Sequence, residues 1–176
     1  MDLSGNRSLL DNPLVAFFAS RTAPAEALAL SQRWAHEMVE ANRVVVSGFH
    51  SPIERAVLDI LLRGRCAVVV TLGRSLYRNI PTHLKQAYEE NRLLFLSFRG
   101  YERPSFSSSQ LRNWATARLA SEVVFAPFDE RSQLSTLHFT LRRGATPCRI
   151  LAWSAVIRQF FSYLGLMVKK ETCERG

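Results

Sequence analysis

Four segments of the sequence combine serine, glycine and arginine in ways that suit the binding of a phosphate group. Arginine presents a planar fork of N–H donors that matches phosphate oxygens, and glycine lets a backbone approach a ligand closely. Serine hydroxyls and the free N–H groups at a helix start supply further donors. These segments are Ser20-Arg21, Ser47-Gly48-Phe49-His50-Ser51, Thr71-Leu72-Gly73-Arg74-Ser75 and the stretch from Arg99 to Asn113.

Individual residues within these segments suggest particular roles. We expect Arg21 and Arg112 to clamp phosphates, and Asn113 either to bind a ligand or to cap its helix. Gly48 and Gly73 are expected in tight turns close to the ligand. The alternative is that these are ordinary turn residues and surface charges. The predicted phosphate-binding residues are Ser20, Arg21, Ser47, Gly48, Gly73, Arg74, Arg112 and Asn113, with His50 as the one histidine placed for ligand contact.

Other kinds of chemistry find little support. The four histidines and three cysteines stand apart, at no spacing typical of a metal site. No G-x-S-x-G motif is present, so a serine nucleophile is not indicated. We predict no metal, no cofactor and no catalytic residue. The sequence leaves open whether the protein is an enzyme and favours binding over catalysis.

The charge of the chain favours a polyanionic partner. Its 176 residues include 23 lysines and arginines and 15 aspartates and glutamates, a formal net charge of +8. Only Lys85, Lys169 and Lys170 are lysines, and arginine is the residue that both forks onto phosphate and stacks on bases. A GC-rich genome would produce the same bias. Phe49, Tyr101 and Trp114 are candidates for stacking on bases, although aromatic side chains more often belong to the core.

Alternating apolar runs and amphipathic stretches predict the elements that position these segments. Strands are predicted at Leu14–Ala19, Val44–Ser47, Cys66–Thr71, Leu93–Phe98, Glu122–Pro127 and Pro147–Leu151. Helices are predicted at Ala25–Asn42, Ile53–Arg63, Thr82–Asn91, Ser109–Ala120 and Ser132–Arg143. This alternation is typical of an α/β fold, here a Rossmann-like three-layer domain with a mainly parallel sheet of about six strands. Ligands of such sheets bind beyond the carboxyl ends of the strands, where all four segments fall.

The domain organisation and the location follow from the same features. Residues 1–151 are predicted to form one domain, and residues 152–176 an amphipathic helix and tail that packs on the domain or at a dimer contact. The cysteines are odd in number, no signal segment begins the chain, and no apolar run approaches ~18 residues. We therefore expect a cytoplasmic protein with no membrane partner.

Several stretches occur in an order that matches a known protein family. They are Ala19-Ser20-Arg21, Val46 to Glu54, Leu72-Gly73-Arg74, Arg112 to Ser121, and Arg131-Ser132 with Thr136 and Arg143-Gly144. They resemble the G-S-R, V-S-G-x-A-x-G-I-D, third glycine loop, R-N-R-x-I-A-G-L-S and R-S-G-S-L-x-T-A…x-G elements of the DNA-processing protein A (DprA/Smf) core. The match runs from about Leu14 to Leu151, with departures at Ala19, Pro52, Glu54, Trp114 and Gln133. The chain therefore resembles a diverged, stand-alone member of that bacterial family.

The resemblance implies binding without covalent catalysis. Members of the family bind single-stranded DNA and assist the loading of a strand-exchange recombinase, in DNA recombination and natural transformation. The resemblance adds Ser132 to the predicted phosphate-binding residues. We expect single-stranded DNA or a nucleotide as ligand, with a recombinase and a second copy of the chain as further candidate partners. The alternatives are a nucleotide-binding sensor domain and an enzyme acting on a nucleoside phosphate, with Glu54 or Asp129 as its acid/base group.

Overall fold

The structure, a computed structural model, describes residues 1–98 and 106–152, the side chains of residues 106–108 excepted. The strands are β1 (Asp2–Gly5), β2 (Val15–Phe18), β3 (Val45–Ser47), β4 (Val68–Leu72), β5 (Leu93–Ser97), β6 (Glu122–Phe125) and β7 (Cys148–Ile150). The helices are α1 (Glu26–Glu40), α2 (Pro52–Arg63), α3 (Thr82–Glu89), α4 (Phe106–Leu119) and α5 (Gln133–Leu141), with a short 3-10 helix at Arg7–Asp11. The helix and tail predicted for residues 152–176 lie, apart from residue 152, outside the described residues. No helix among the described residues is both long and apolar enough to cross a bilayer.

The seven strands form one sheet in the order β1-β5-β4-β3-β2-β6-β7. The six predicted strands are present and pair in parallel, so the predicted α/β class is confirmed. The seventh strand, β1, runs antiparallel to β5 at one edge, with Asp2 opposite Ser97. Sequence patterning missed it because its four residues, DLSG, form no apolar run, and an edge strand needs none.

Alternate strand residues face opposite sides of the sheet and build two separate cores. On one side Phe17 stacks on Trp34 of α1 with ring centroids 4.6 Å apart, and α2 and α3 contribute to the same cluster. On the other side Phe18 and Ala117 of α4 belong to a second cluster, which α5 and the 3-10 helix complete. Burial on both faces explains why these strands are continuous apolar runs. Each fully buried aromatic side chain contributes roughly 1.5–3 kcal/mol.

The strand order reverses beside β2, and this reversal creates the crevice of the fold. The chain runs outward from β2 through β3 and β4 to β5, and α4 then carries it back to β6 on the other side of β2. Ligands of open α/β sheets bind at such a reversal, beyond the carboxyl ends of the strands. The loops that follow β2, β3, β4 and β6 therefore surround a common space.

Candidate functional site

A cleft of about 610 Å³ opens at the carboxyl ends of the central strands. We call it the strand-end cleft. Its walls come from the loops after β2, β3 and β4, from α4 and from the start of α5. The lining residues are Ala19, Ser20, Arg21, Thr22, His50, Ser51, Glu54, Gly73, Arg74, Ser109, Arg112, Asn113, Arg131, Ser132, Gln133 and Leu134.

Eight of the ten predicted phosphate-binding residues line this cleft: Ser20, Arg21, His50, Gly73, Arg74, Arg112, Asn113 and Ser132. The other two, Ser47 and Gly48, are not among its lining residues. Ser47 is fully buried, and its Oγ accepts a hydrogen bond from the Phe49 N–H at 3.2 Å. The Phe49 side chain is buried in the core, so it is not available to stack on a base.

Gly48 makes room for an arginine side chain. A Cβ atom at this position would lie 2.9 Å from both Cζ and Nε of Arg112, and 3.1 Å from Cδ2 of His50. The sequence led us to expect a ligand against this glycine, whereas the structure places the Arg112 guanidinium there. A larger residue at position 48 would have to displace that guanidinium.

Glu54 joins two of the loops at the base of the cleft. Its Oε1 accepts a hydrogen bond from the Ala19 N–H at 3.1 Å, and its Oε2 accepts from the N–H groups of His50 at 2.7 Å and Ser51 at 3.0 Å. Ser51 Oγ in turn accepts from the Glu54 N–H at 3.1 Å, which completes a capping box at the start of α2. Burial raises the pKa of the Glu54 carboxyl, and these N–H groups and Arg112 oppose that rise. Glu54 is therefore a structural anchor that is only 5% exposed.

Arg112 presents a guanidinium that the protein holds in a fixed position. Its Nε and Nη2 donate to Oδ1 of Asn113 at 3.2 and 2.8 Å, so Asn113 orients an arginine rather than capping a helix. One turn later, the Thr116 hydroxyl donates to the Arg112 carbonyl at 2.7 Å and lies 2.8 Å from Thr71 Oγ1 at the end of β4. Burial lowers the pKa of the Arg112 guanidinium, and the negative charge of Glu54 opposes this shift. Arg112 nevertheless carries its positive charge at neutral pH, because arginine is protonated far above it.

Three further arginines at the cleft are exposed to solvent: Arg21, Arg74 and Arg131. Ser97 Oγ donates to the Arg74 carbonyl at 2.7 Å, and the Arg74 guanidinium lies 5.4 Å from the ring centroid of Tyr77. Within the described part of the chain, none of the three forms an ion pair. Their charges remain available to an anionic ligand.

His50 is uncharged at neutral pH because of its surroundings. Burial, followed by the positive charges of Arg112, Arg55, Arg21 and Arg74, lowers the pKa of its imidazole to about 4. A neutral imidazole offers one N–H donor and one acceptor nitrogen. Its low pKa therefore reflects burial first and the positive charges around the cleft second.

Sequence reasoning left Arg131 and Glu54 outside the predicted phosphate-binding residues, although both line the cleft. Arg131 directly precedes Ser132, whose Oγ accepts from the Leu134 N–H at 3.3 Å and caps α5. The spacing Ser51-x-x-Glu54 is a capping-box signal that was available in the sequence. The bond from Glu54 to Ala19, 35 residues away, had no such signal. Among the described residues, no group of three histidine, cysteine or acidic side chains is placed to hold a metal ion.

The reversed strand order and the arginine-lined cleft define a Rossmann-like α/β protein with a positively charged cleft at its strand ends. The sequence model of the DNA recombination-mediator protein A family matches residues 2–151. The chain belongs to that family, which confirms the resemblance to DNA-processing protein A seen in the motif order.

Solved structures of the family share the fold. DNA processing protein A from Helicobacter pylori superposes with a TM-score of 0.68 at 20% identity, covering 93% of this chain and 78% of that one. The Streptococcus pneumoniae protein gives 0.69 at 24% identity and 88% of this chain, which spans only 55% of that longer protein. A molybdenum cofactor binding protein from Rippkaea orientalis gives 0.56 at 12% identity, covering 87% of this chain and 84% of that one. At these identities the likeness concerns the fold. No curated protein matches the chain by sequence.

Proposed function

We propose that this chain binds single-stranded DNA by holding its phosphates in the strand-end cleft, without covalent catalysis. One observation carries the proposal: Arg21, Arg74, Arg112 and Arg131, from four separate segments, line one cleft in which Glu54 is the single carboxylate among the described lining residues. Family membership supports it. So does the H. pylori relative, whose structure concerns its single-stranded DNA binding mode.

The charges of the cleft suit a phosphate backbone. Guanidinium groups bind phosphate oxygens bidentately, and each neutralised phosphate releases counterions that drive binding. Arg112 is fixed by Asn113, so it is already oriented before a ligand arrives. The three exposed arginines can adjust to the strand. Such a site binds through charge and is tolerant of base sequence.

The position of Glu54 supports binding over acid/base catalysis. Both of its carboxylate oxygens accept backbone hydrogen bonds, and its side chain is buried. Asp129, the other candidate acid/base group, is exposed and is not among the residues that line the cleft. A general base needs a free oxygen within reach of the substrate proton.

The experiment that tests this proposal is a titration of labelled single-stranded DNA followed by fluorescence anisotropy at several salt concentrations. We expect Arg21→Ala and Arg131→Ala each to lower affinity about tenfold or more, because each loses a charge-assisted hydrogen bond. Each should also reduce the slope of log K against log salt by about 0.7. The matched control is Arg63→Ala, which removes an exposed arginine at the far end of α2. Equal losses of affinity in all three variants would show that the cleft is not the DNA-binding site.

We also propose two partners: a strand-exchange recombinase and a second copy of this chain. Family resemblance supports the recombinase. We propose that residues 152–176 form a helix and tail that packs on the domain or at the dimer contact, and the apolar spacing from Trp153 to Leu164 supports this. Sedimentation of the chain with and without residues 153–176 tests the dimer, and co-sedimentation with a recombinase on single-stranded DNA tests the first. Unchanged sedimentation in either case contradicts the corresponding partner.

A further inference from the structure

The described lining of the strand-end cleft favours a phosphate group over a base. Among the lining residues that the structure describes there is no phenylalanine, tyrosine or tryptophan. Phe49 is turned into one core cluster, and Trp114 packs against the other. Proteins that hold the interior of a single strand stack successive bases on aromatic side chains. The lining residues that the structure describes supply guanidinium groups and hydroxyls instead.

The start of α2 is poorly suited to hold the phosphate, since the protein itself uses most of its N–H donors. Glu54 occupies the N–H groups of His50 and Ser51, and also that of Ala19. A phosphate in this cleft therefore depends on the arginine side chains and on the start of α5. Four guanidinium groups are more than one internal phosphodiester can use, because it has two unesterified oxygens and a single negative charge.

We propose that the strand-end cleft prefers a phosphate monoester, at the end of a DNA strand or on a free nucleotide, to the internal phosphodiesters of a strand. A monoester has three unesterified oxygens for these guanidinium forks. It also carries nearly two negative charges at neutral pH, since its second pKa is about 6. The inference rests on the proposed function, because it names the group that the same site selects.

His50 is the residue that we assign to this selection. Its ring lines the cleft beside Gly48, and its backbone N–H is held by Glu54. Burial is the first cause of its neutral state. The charged groups that add to it are Arg112 from α4, Arg55 from α2, Arg21 from the loop after β2 and Arg74 from the loop after β4, and the Glu54 carboxylate lies at its backbone N–H. A dianion offsets this positive potential more than a monoanion does. The imidazole can then take up a proton and become an additional charged donor.

The test compares three oligonucleotides of one sequence, with a 5′-phosphate, a 3′-phosphate or hydroxyls at both ends, as competitors of an internally labelled strand. A nucleoside monophosphate is a fourth competitor. We expect a terminal phosphate to raise affinity about tenfold, the value of one further charge-assisted hydrogen bond. His50→Ala should reduce that ratio severalfold, whereas His83→Ala, which removes an exposed histidine from α3, should leave it unchanged.

A spectroscopic measurement separates this role of His50 from a merely structural one. The NMR titration of its ring should move upward from about 4 when a phosphorylated strand is bound, and less with a hydroxyl-ended strand. A similar titration with both strands would contradict the assigned role.

The outcomes separate the inference from the function on which it rests. Equal affinity for phosphorylated and hydroxyl-ended strands overturns the inference and leaves DNA binding intact. Binding of the nucleoside monophosphate in a direct thermal-shift titration, without binding of any strand, overturns the proposed function and supports the inference for a free nucleotide. Failure of all four competitors overturns both. Where the monoester is preferred, the three phosphorylated competitors show whether a 5′ end, a 3′ end or a nucleotide supplies it.

Discussion

Two helices begin at the strand-end cleft, and their first turns differ in how they are satisfied. At the start of α2, Glu54 and Ser51 form a capping box, and the Glu54 carboxylate also reaches Ala19 in the neighbouring loop. At the start of α5, Ser132 caps the helix, Arg131 precedes it, and the first turn contains no acidic residue. Both helices have the same partial positive charge at this end. The protein neutralises the first with a carboxylate of its own, whereas the second has only a serine cap and is the start that we propose is left for a ligand.

Position in a Rossmann-like fold does not by itself make a helix start a ligand site. The loop before α2 has the serine, the glycine and the left-handed turn expected of a phosphate site, with Phe49 at φ 50°. Its donors are nevertheless used inside the protein. The contribution that we propose for this loop is indirect, since Gly48 leaves room for the Arg112 guanidinium and Glu54 joins the loops after two strands.

The largest expected effect comes from removing the internal anion. Glu54→Ala leaves two buried N–H groups and one partly buried N–H group without their acceptor, and Arg112 without a nearby negative charge. We expect a loss of about 3 kcal/mol in the free energy of unfolding, measured by urea denaturation. Sulfate should restore part of this loss, because it can occupy the vacated helix start.

The matched control for this prediction is Glu26→Ala. Glu26 is also an acidic residue in a first helical turn, but it is exposed at the start of α1, where no side-chain cap is formed. We expect it to cost about 0.5 kcal/mol, the value of a solvated charge near a helix end. Similar losses for the two variants would mean that Glu54 is no anchor.

A smaller effect is expected from Gly48→Ala. The added Cβ would displace the Arg112 guanidinium from its place beside the glycine, at a cost of about 1.5 kcal/mol. Affinity for single-stranded DNA should fall as well, because the fixed arginine loses its orientation. Gly144→Ala is the control, since its nearest neighbour would be 3.4 Å away. Unchanged DNA affinity in Gly48→Ala would show that the orientation of Arg112 does not matter.

Ser51 and Ser132 cap α2 and α5, so substituting each of them compares the two helix starts directly. Ser132→Ala and Ser51→Ala should each destabilise the protein by about 1 kcal/mol, because each removes a helix cap. Only Ser132→Ala should also weaken DNA binding beyond what its stability explains, since Ser132 lies at the start left for a ligand. Anisotropy measured well below both melting temperatures checks this. Equal binding by the two variants would contradict the distinction between α2 and α5.

The prediction with the smallest effect at neutral pH concerns acid stability, because it develops only as the pH falls. The folded protein keeps His50 neutral down to a pKa of about 4, whereas the unfolded chain takes up that proton near pH 6.5. The unfolded state therefore binds more protons in this window, and stability falls as the pH drops from about 6.5 to 4. His50→Gln should flatten this part of the pH profile, and His83→Gln should not. An unchanged slope in His50→Gln would place its pKa near the ordinary value.

The sequence predicted the parallel strands and the edge at which the loops meet because both depend on local apolar patterning. It also predicted eight of the ten residues correctly as neighbours in one cleft, although their binding role stays a prediction. It missed β1, whose pairing with β5 is formed across the whole domain. It also missed the roles of Glu54 and Gly48, since each depends on a partner that is distant in sequence: Ala19 for one, Arg112 for the other.

The most direct test of the account is to follow backbone amides by NMR as single-stranded DNA is added. We expect the amide resonances of Ser132, Gln133 and Leu134 to shift strongly. The amides of His50 and Ser51 should stay protected from hydrogen exchange, because Glu54 still accepts their hydrogen bonds. Shifts and loss of protection at His50 and Ser51, without change at α5, would contradict it. That result would mean that DNA displaces Glu54 and binds at the start of α2.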